Sequence, residues 1–367
     1  MRDMAQPYDD LPDLPPAGTI ETVRVLKACI AAHRSLGLMR TAASRLPDPT
    51  LLINAVLILE ARASSEIENI VTTADALFRA DTLERTDDPA VKEALRYRTA
   101  LRHGVDAIEG RPITTNLMIE LCSLVTGIDT RIRATPGATL RGDRTGDVVY
   151  TPPSGEELLR AKLAAWERFA HADDGLDPLV RISLLHYQFE AIHPFPDGNG
   201  RTGRILNLLL ALNADLLDAP ILYLSGYLLS TRPDYYRLLR AVTVDGAWEA
   251  WLLYMLEGFR STAETTTARI NAIHALIDAT TEDLQRAAPR SATPALIDVI
   301  FSRPYCRIGD VVAAGIAKRQ RASEHLKALV ALGILEEHAD NRDRIFLNRP
   351  LLELLGAPDR DTGAAGP

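Results

Sequence analysis

Cysteines and aromatic residues are few in this sequence, and it has neither a long apolar run nor a basic excess. Its three cysteines lie far apart among 367 residues, which excludes a disulfide framework or a cysteine zinc motif and favours a reducing compartment. Aromatic residues are 5% of the chain, so Leu, Ala, Ile and Val must build most of the core, which favours helices. The formal charge of −8 excludes a chain-wide attraction to nucleic acid or anionic lipid.

Membrane and export signals are also missing. No stretch reaches 18 uninterrupted apolar residues, and the apolar segment 205–212 is interrupted by Asn207. The first 20 residues are rich in Asp and Pro, which is wrong for a signal peptide and predicts an extended leader. We therefore expect a soluble, cytoplasmic protein without a membrane partner.

Apolar residues recur at helical spacing along most of the chain. The predicted helices are 19–38, 51–69, 88–109, 114–125, 156–171, 178–192, 201–212, 233–244 and 247–261, then a long helix to about Ala288. Asp177–Pro178 supplies an N-cap followed by proline at the first helical position. The segment 201–212 is apolar almost all round, as is typical of a helix at the centre of a bundle. The pattern predicts a mainly α fold.

One β-hairpin is predicted within this helical chain. The segment 134–153 is rich in Gly and Pro, and the β-prone pieces 138–141 and 148–151 flank the turn-forming run 142–146.

The segment His193–Arg204 reads His-Pro-Phe-Pro-Asp-Gly-Asn-Gly-Arg-Thr-Gly-Arg and carries an anion-site pattern. Gly198 and Gly200 let the backbone turn tightly, and the chain then enters the buried helix, whose N-terminus favours an anion. Arg201 and Arg204 lie on one face of its first turn, with planar donors that suit phosphate.

The same segment offers a metal ligand and a base. Asp197 is a hard oxygen ligand suited to a nucleotide-bound Mg²⁺. His193 titrates near neutrality and could take a proton from an attacking hydroxyl.

Residues 198–203 also fit G-x-G-x-x-G, but that dinucleotide fingerprint needs a preceding strand, and 182–192 is helical. A purely structural capped loop is the other alternative. The combination favours phosphoryl or nucleotidyl transfer.

This segment resembles the Fic (Fido) family. The motif H-x-F-x-[D/E]-G-N-G-R-x-x-R is matched at His193, Phe195, Asp197, Gly198, Asn199, Gly200, Arg201 and Arg204. The resemblance, which covers about 11–257, implies a Fic helical bundle with a β-hairpin flap. It also implies protein adenylylation, in which AMP moves from Mg-ATP to a Ser, Thr or Tyr hydroxyl of a target protein.

The resemblance implies a role for each motif residue. His193 would be the general base, Asp197 would hold Mg²⁺, and Phe195 would fix the loop. The amides of 198–200, with Asn199, would form the anion hole, Arg201 would contact the phosphates, and Arg204 would hold the γ-phosphate. The nucleotide-binding set is Gly198, Asn199, Gly200, Arg201, Thr202, Gly203 and Arg204, with Ser230 as a looser match.

Three further segments resemble family features. The flap that docks the target would be Thr151, Pro152 and Pro153. The segment bordering the adenosine would include 222–225, Tyr227 and 234–236. The inhibitory motif [S/T]-x-x-x-E-[G/N] is matched by Ser64, Glu68 and Asn69, with Glu68 expected to pair with Arg204 and silence the enzyme. Glu60 and Glu66 on the same stretch are expected to be solvated.

The C-terminal segment predicts a winged helix. Three short helices (294–301, 308–314 and 319–332) precede two strands (333–337 and 344–347). Residues 301–350 hold 9 basic and 6 acidic residues, a balance of +3. Lys318, Arg319 and Arg321 open the candidate recognition helix, and Arg342 and Arg344 lie on the wing. A DNA partner and a protein-interaction or dimer module both remain open.

These observations predict five units: an N-terminal helical region (1–110), a catalytic core (111–258), a helical linker (259–290), a winged helix (291–353) and a disordered tail (354–367). An enzyme that also removes AMP, with Glu68 positioning water, is one rival to the adenylyltransferase. A DNA-binding regulator with a nucleotide-sensing core is the other. The target and the oligomeric state, including a homodimer, are left open by the sequence.

Overall fold

A computed structural model of the chain describes residues 3–46, 49–134, 139–141, 148–340 and 343–356. Within these ranges the fold is mainly helical, as predicted, with 15 helices and five short strands. None of the helices in the described ranges combines the length and the hydrophobicity that crossing a bilayer would need.

The first six helices surround a small hairpin. They are α1 (Val23–Ala43), α2 (Pro49–Ile67), α3 (Ala74–Leu83), α4 (Pro89–Ile108), α5 (Thr115–Thr126) and α6 (Glu156–Ala170). The strands β1 (Leu140–Arg141) and β2 (Val148–Tyr150) pair antiparallel, with Leu140 opposite Tyr150. The predicted hairpin is therefore present, while its turn 142–147 and Ala138 lie outside the described residues.

The centre of the molecule is formed by α7 (Pro178–Ile192) and α8 (Asn199–Asn213). The predicted N-cap of α7 is present, since the Asp177 carboxylate accepts a hydrogen bond from the Leu179 amide at 2.8 Å. Helix α8 is buried along nearly its whole length, as predicted from its apolar surround. The loop between these two central helices holds the candidate site.

Three helices complete the bundle: α9 (Leu224–Ser230), α10 (Arg232–Asp245) and α11 (Trp248–Ala287). The prediction of two helices from Ala247 to Ala288 was wrong, because α11 is one helix of 40 residues. No proline or glycine-rich break interrupts that segment, and α11 packs along α1. Helices α3 and α9 were missed because each is too short to establish a periodic pattern.

The C-terminal unit contains α12 (Pro294–Phe301), β3 (Tyr305–Arg307), α13 (Ile308–Ala313), α14 (Arg319–Ala331), β4 (Glu336–Asp340), β5 (Asp343–Leu347) and α15 (Arg349–Gly356). The three predicted helices and the two strands are present, although β4 begins three residues later than expected. Strand β3 adds a third member to the sheet in the order β3-β5-β4, and it was missed with α15. Arg342 and the tail 357–367 lie outside the described residues.

The C-terminal unit contacts α3 in the N-terminal helical region. The Tyr305 hydroxyl donates to the Asp75 carboxylate at 2.6 Å, and Arg307 forms an ion pair with Glu84 at 3.3 Å. Helix α15 of the same unit contacts both α3 and α2, and α2 carries Ser64 of the predicted inhibitory motif.

Candidate functional site

The loop from His193 to Gly198 is fixed by its own asparagine. The Asn199 side chain accepts from the Phe195 amide at 2.8 Å and donates to the Phe195 carbonyl at 2.7 Å, while the Phe195 ring is fully buried. Gly198 adopts a φ of +80° as it caps α8, a conformation that favours glycine. The structural role predicted for Phe195 agrees with this placement, and the Asn199 side chain shapes the loop.

Arg133 supports the same loop from outside it. Its Nε donates to the His193 carbonyl at 2.8 Å, and one terminal nitrogen donates to the Ile192 carbonyl at 3.3 Å and to the Pro153 carbonyl. His193 itself has a φ of +49°, which is unusual for a residue with a side chain. Arg133 therefore joins the strained C-terminus of α7 to the hairpin, a role that no sequence signal indicated.

His193 has an imidazole whose basicity is lowered by its surroundings. Burial, with the nearby Arg133 guanidinium, lowers the pKa of the imidazole to about 4. The ring nitrogen Nδ1 is enclosed and has no hydrogen-bond partner among the described residues. The imidazole is therefore neutral at physiological pH and can accept a proton.

Arg204 and Glu68 meet as the sequence predicted. The guanidinium donates to Glu68 Oε1 at 2.8 Å, and it also donates to the Ser64 hydroxyl at 2.8 Å and the Ser64 carbonyl at 2.9 Å. Burial is the largest influence on the pKa of the Glu68 carboxyl and would raise it, but the charge and hydrogen bond of Arg204, together with the charge of Arg201, outweigh burial and lower it. A Cβ on Gly200 would lie 2.3 Å from Glu68 Oε1, so this close approach requires glycine.

The third inhibitory-motif residue, Asn69, lies just beyond α2. Its φ is +64°, a left-handed conformation that asparagine tolerates, and its side-chain oxygen accepts from Arg232 at 3.1 Å.

Arg201 is buried rather than on the surface. It forms a short ion pair with Glu93 of α4 and a longer one with Asp197 at 3.5 Å. Glu93 was not identified from the sequence, since it lies 108 residues away. Its carboxylate fixes the Arg201 guanidinium within the first turn of α8.

Asp197 fits the requirements of a metal ligand. Its side chain is 74% exposed, and it borders a cavity of about 310 Å³ lined also by Thr130, Arg133 and Pro196. Across the described ranges, no three His, Cys, Asp or Glu side chains form a cluster that could hold a metal. A single carboxylate suits Mg²⁺ that arrives with the phosphates of a nucleotide, because that ion keeps water and substrate oxygens as its other ligands.

A larger cavity, of about 530 Å³, lies beside the Glu68–Arg204 pair. Residues of the hairpin, α7 and α10 line it, including Tyr150, Glu190 and Tyr236 together with Glu68 and Asn69. Of the segment expected to border the adenosine, Tyr236 lines this cavity.

Some predicted residues lie elsewhere. Ser230 is exposed at the end of α9, where its hydroxyl donates to the Tyr227 carbonyl at 2.9 Å. Thr202 is buried within α8, and the space beside Gly203 is filled by Glu190 and Phe189 of α7. Of the predicted site residues, Glu68 and Asn69 line the large cavity, and Arg204 lies next to it through its contact with Glu68. Asp197 borders the smaller cavity, while His193, Ser230 and the other residues of 198–204 line neither cavity.

The hairpin residues that follow β2 are already engaged. Thr151 is buried, and its hydroxyl donates to the Met4 carbonyl at 2.8 Å. The Pro153 carbonyl accepts from Arg133, as above, and Pro152 lies between them, also buried.

The expectation that Glu60 is solvated was wrong. It is 4% exposed, its Oε2 accepts from the Ser225 amide at 3.0 Å, and its Oε1 accepts from the Tyr97 hydroxyl at 3.3 Å. Burial raises the pKa of this carboxyl to about 7 and does the same for Glu190. Because Glu60 interrupts the apolar run 55–61, its sequence position did contain a signal of burial.

The unfolding free energy should change with pH as the buried Glu60 carboxyl titrates. Its folded pKa lies above the unfolded value, so its contribution is complete below about pH 4.5 and is lost as the pH rises through about 7. We expect up to about 3 kcal/mol of unfolding free energy to be lost on this account. The measurement is the unfolding free energy from denaturant titrations at several pH values between 5 and 8. In Glu60→Gln this free energy should fall less steeply with pH than in wild type, and the decrease that remains is the part due to Glu190.

Glu66→Gln is the matched control on the same helix, since it removes one carboxyl from a half-buried position. A Glu60→Gln protein that kept the full wild-type slope would show that Glu60 does not titrate in this range.

Comparison with known proteins gives consistent matches. The Fic/DOC family N-terminal model matches residues 26–106, and the Fic/DOC family model matches 113–211. The model of the C-terminal domain of SoFic-like protein adenylyltransferases matches 276–351. Together these three models account for most of the chain.

Two sequence relatives illustrate the similarity. A probable protein adenylyltransferase of Aquifex aeolicus is 30% identical over 172 residues, which is 44% of this chain and 48% of that protein. A uridine 5′-monophosphate transferase of Xanthomonas campestris is 33% identical over 116 residues, 27% of this chain and 21% of that one. The chain therefore spans less than half the length of these relatives.

A solved structure shares the fold over nearly the whole chain. A Fic family protein from Desulfovibrio desulfuricans G20 matches 91% of this chain and 98% of its own chain, with a TM-score of 0.59 and 20% identity.

Proposed function

The chain belongs to the Fic/DOC family, and from this premise we propose that it transfers AMP from Mg-ATP to a hydroxyl side chain of a target protein. The observation that supports this most directly is the continuity of one loop. A neutral histidine at the end of α7 is followed within five residues by the N-terminus of α8, which favours an anion. A base and a phosphate site are thereby held at a fixed separation.

In the proposed reaction, His193 takes the proton of the target hydroxyl as its oxygen attacks the α-phosphorus. The bond from that phosphorus to the bridging oxygen breaks, and pyrophosphate leaves. The lowered pKa of His193 keeps the imidazole unprotonated before attack. Arg133 holds the residue in its left-handed conformation, which aims the ring from the end of α7.

The phosphates would be held by the first turn of α8. The amides of 198–200 point from the helix N-terminus, and Asp197 would ligate the Mg²⁺ that accompanies the nucleotide. Arg204 would hold the γ-phosphate. Arg201, fixed by Glu93, would contact the phosphates with a guanidinium that is already ordered.

Glu68 would act as a brake on this reaction. It occupies the guanidinium that the γ-phosphate needs and adds a negative charge beside the phosphate site. ATP could then bind only in a pose whose α-phosphate is misaligned for attack. The enzyme as observed would be nearly silent until Glu68 leaves Arg204.

The test is incubation of the Glu68→Gly protein with ATP labelled on the α-phosphate. Label on protein supports adenylylation, and release of AMP from modified protein would identify an enzyme that also removes the group. Label on no protein, together with specific retention of DNA, would favour a regulatory role instead.

We further propose that the C-terminal unit is a protein-interaction module. Lys318, Arg319 and Arg321 are exposed at the start of α14, but the wing residue Arg344 is paired with Glu337 at 2.9 Å. The balance of +3, which already includes Glu337, gives only a modest field, and phosphate contacts from the wing would require Arg344 to break this pair.

We accordingly expect that the full-length protein does not bind duplex DNA in a salt-dependent manner. The triple variant Lys318→Glu, Arg319→Glu, Arg321→Glu should behave like wild type in electrophoretic shifts at low salt. Retention that falls steeply with salt and disappears in the triple variant would instead assign DNA binding to α14.

A further inference from the structure

Residues 4–9, called the strap here, lie along the hairpin that the sequence identified as the flap. The Tyr8 amide donates to the Thr151 carbonyl at 3.0 Å, and the Thr151 hydroxyl donates to the Met4 carbonyl at 2.8 Å. The Ser154 amide donates to the Asp9 carboxylate at 2.8 Å. The strap therefore satisfies polar groups on both sides of Pro152 and Pro153.

Side chains of the strap add apolar contacts to these hydrogen bonds. The Tyr8 ring packs edge-on against Tyr150, with ring centroids 6.4 Å apart. Met4 lines the 530 Å³ cavity together with Glu68 and Tyr236. The strap thus runs from the flap to the rim of the 530 Å³ cavity.

The chain just after the strap is firmly anchored. Leu11 is fully buried, the Pro12 carbonyl accepts from Gln188 of α7 at 2.8 Å, and Asp13 pairs with Lys162 of α6 at 2.9 Å. The Leu11 amide donates to the Tyr8 carbonyl at 3.0 Å, but the burial of Leu11 and the contacts of Pro12 and Asp13 involve none of residues 4–9. The strap could therefore leave the flap while this anchor stays in place.

We propose that the strap is an internal occupant of the flap and excludes the extended segment of a target protein from it. An extended chain binds such an edge through its backbone. The strap uses its own backbone in two of its three hydrogen bonds, through the Tyr8 amide and the Met4 carbonyl, and the Asp9 side chain in the third. At the cavity the strap presents Met4, which has no hydroxyl to accept AMP. This inference rests on the proposed function and adds a second brake, since Glu68 restricts the nucleotide and the strap restricts the target.

The test compares three full-length proteins. Tyr8→Pro/Asp9→Ala removes the Tyr8 amide that donates to Thr151, the Tyr8 ring that packs on Tyr150, and the Asp9 carboxylate that accepts from Ser154. Tyr8→Phe/Asp9→Asn is the matched control, because it keeps the amide, an aromatic ring and an acceptor oxygen. Wild type is the third protein, and Leu11 remains as the anchor in all of them.

Two readouts follow, and neither needs AMP transfer. In hydrogen exchange, the Ser154 amide should exchange at least tenfold faster in Tyr8→Pro/Asp9→Ala than in the other two proteins. In fluorescence anisotropy, a labelled synthetic peptide with the sequence of residues 3–13 should bind that variant at least tenfold more tightly than it binds wild type or the control.

Equal exchange at Ser154 in all three proteins would overturn the proposal, because the strap would then not hold the flap in solution. Equal or absent peptide binding across the three would overturn it as well, since the vacated edge would not accept an extended segment. If both readouts succeed and an enzyme that combines Glu68→Gly with Tyr8→Pro/Asp9→Ala still transfers no AMP, the proposed function fails while the strap's occupancy of the flap stands.

Discussion

Glu68→Gly is expected to raise self-adenylylation by roughly ten- to a hundredfold over wild type. The substitution frees Arg204 for the γ-phosphate and removes a carboxylate from the phosphate site. A hundredfold change corresponds to about 2.7 kcal/mol, within the range for breaking a desolvated arginine–carboxylate pair. The lower bound reflects solvent screening, because the Glu68 side chain is 36% exposed although Arg204 is buried.

The structure provides matched controls for this expectation. Glu66→Gly removes a carboxylate from the last turn of α2 without touching the Arg204 contact, and it should leave self-adenylylation at the wild-type level. Glu68→Gly combined with Arg204→Ala should lose most of the gain, because the freed guanidinium is what the nucleotide needs. Since Arg204 also binds Ser64, thermal unfolding should confirm that the double variant is folded.

The measurement is transfer of label from ATP labelled on the α-phosphate, with these variants side by side. Equal labelling of wild type and Glu68→Gly would show that the observed ion pair is not the brake.

His193→Ala, made in the Glu68→Gly background, should lower AMP transfer by a hundredfold or more while ATP binding stays nearly unchanged. The base acts only as the hydroxyl attacks, and the phosphate contacts come from α8. His193→Asn is the companion variant, because asparagine tolerates the left-handed backbone that His193 adopts, and it should be equally inactive.

ATP affinity by calorimetry and transfer by label incorporation separate binding from chemistry in these two variants. Transfer at the rate of the Glu68→Gly parent in either one would rule out His193 as the base. A loss of ATP binding that matches the loss of transfer would assign His193 a positioning role instead.

The chemistry proposed for the site comes from a local pattern in the sequence. His193 and the first turn of α8 are contiguous, so their residue types and spacing define a base next to an anion site before any fold is known. The pairing of Glu68 with Arg204 spans 136 residues and was predictable only through the resemblance to a family.

The groups that hold the site in place could not be predicted in this way. Glu93 and Arg133 reach the loop from α4 and from the segment after α5, across 108 and 60 residues. A charged residue on an amphipathic helix gives the same sequence pattern whether its side chain faces water or an arginine. Glu60 differs, since its neighbours are apolar on both sides, and that pattern could have marked it as buried.

The short strand β3 and the start of β4 could not be predicted for a related reason. Strand β3 has three residues and exists because β5 pairs with it, so its formation depends on a partner 40 residues away. The start of β4 was misplaced because Gly333 and the apolar residues after it read as strand, while pairing with β5 begins at Glu336.

The most direct test of the proposed AMP transfer is intact-mass spectrometry of Glu68→Gly and Glu68→Gly/His193→Ala after incubation with Mg²⁺ and each of the four ribonucleoside triphosphates. The choice of nucleotide is informative because a relative is named for transfer of uridine monophosphate. We expect an adduct with the mass of AMP on the first protein with ATP, and no adduct on the second. An adduct formed only from another triphosphate, or equal AMP adducts on both proteins, would contradict AMP transfer with His193 as the base.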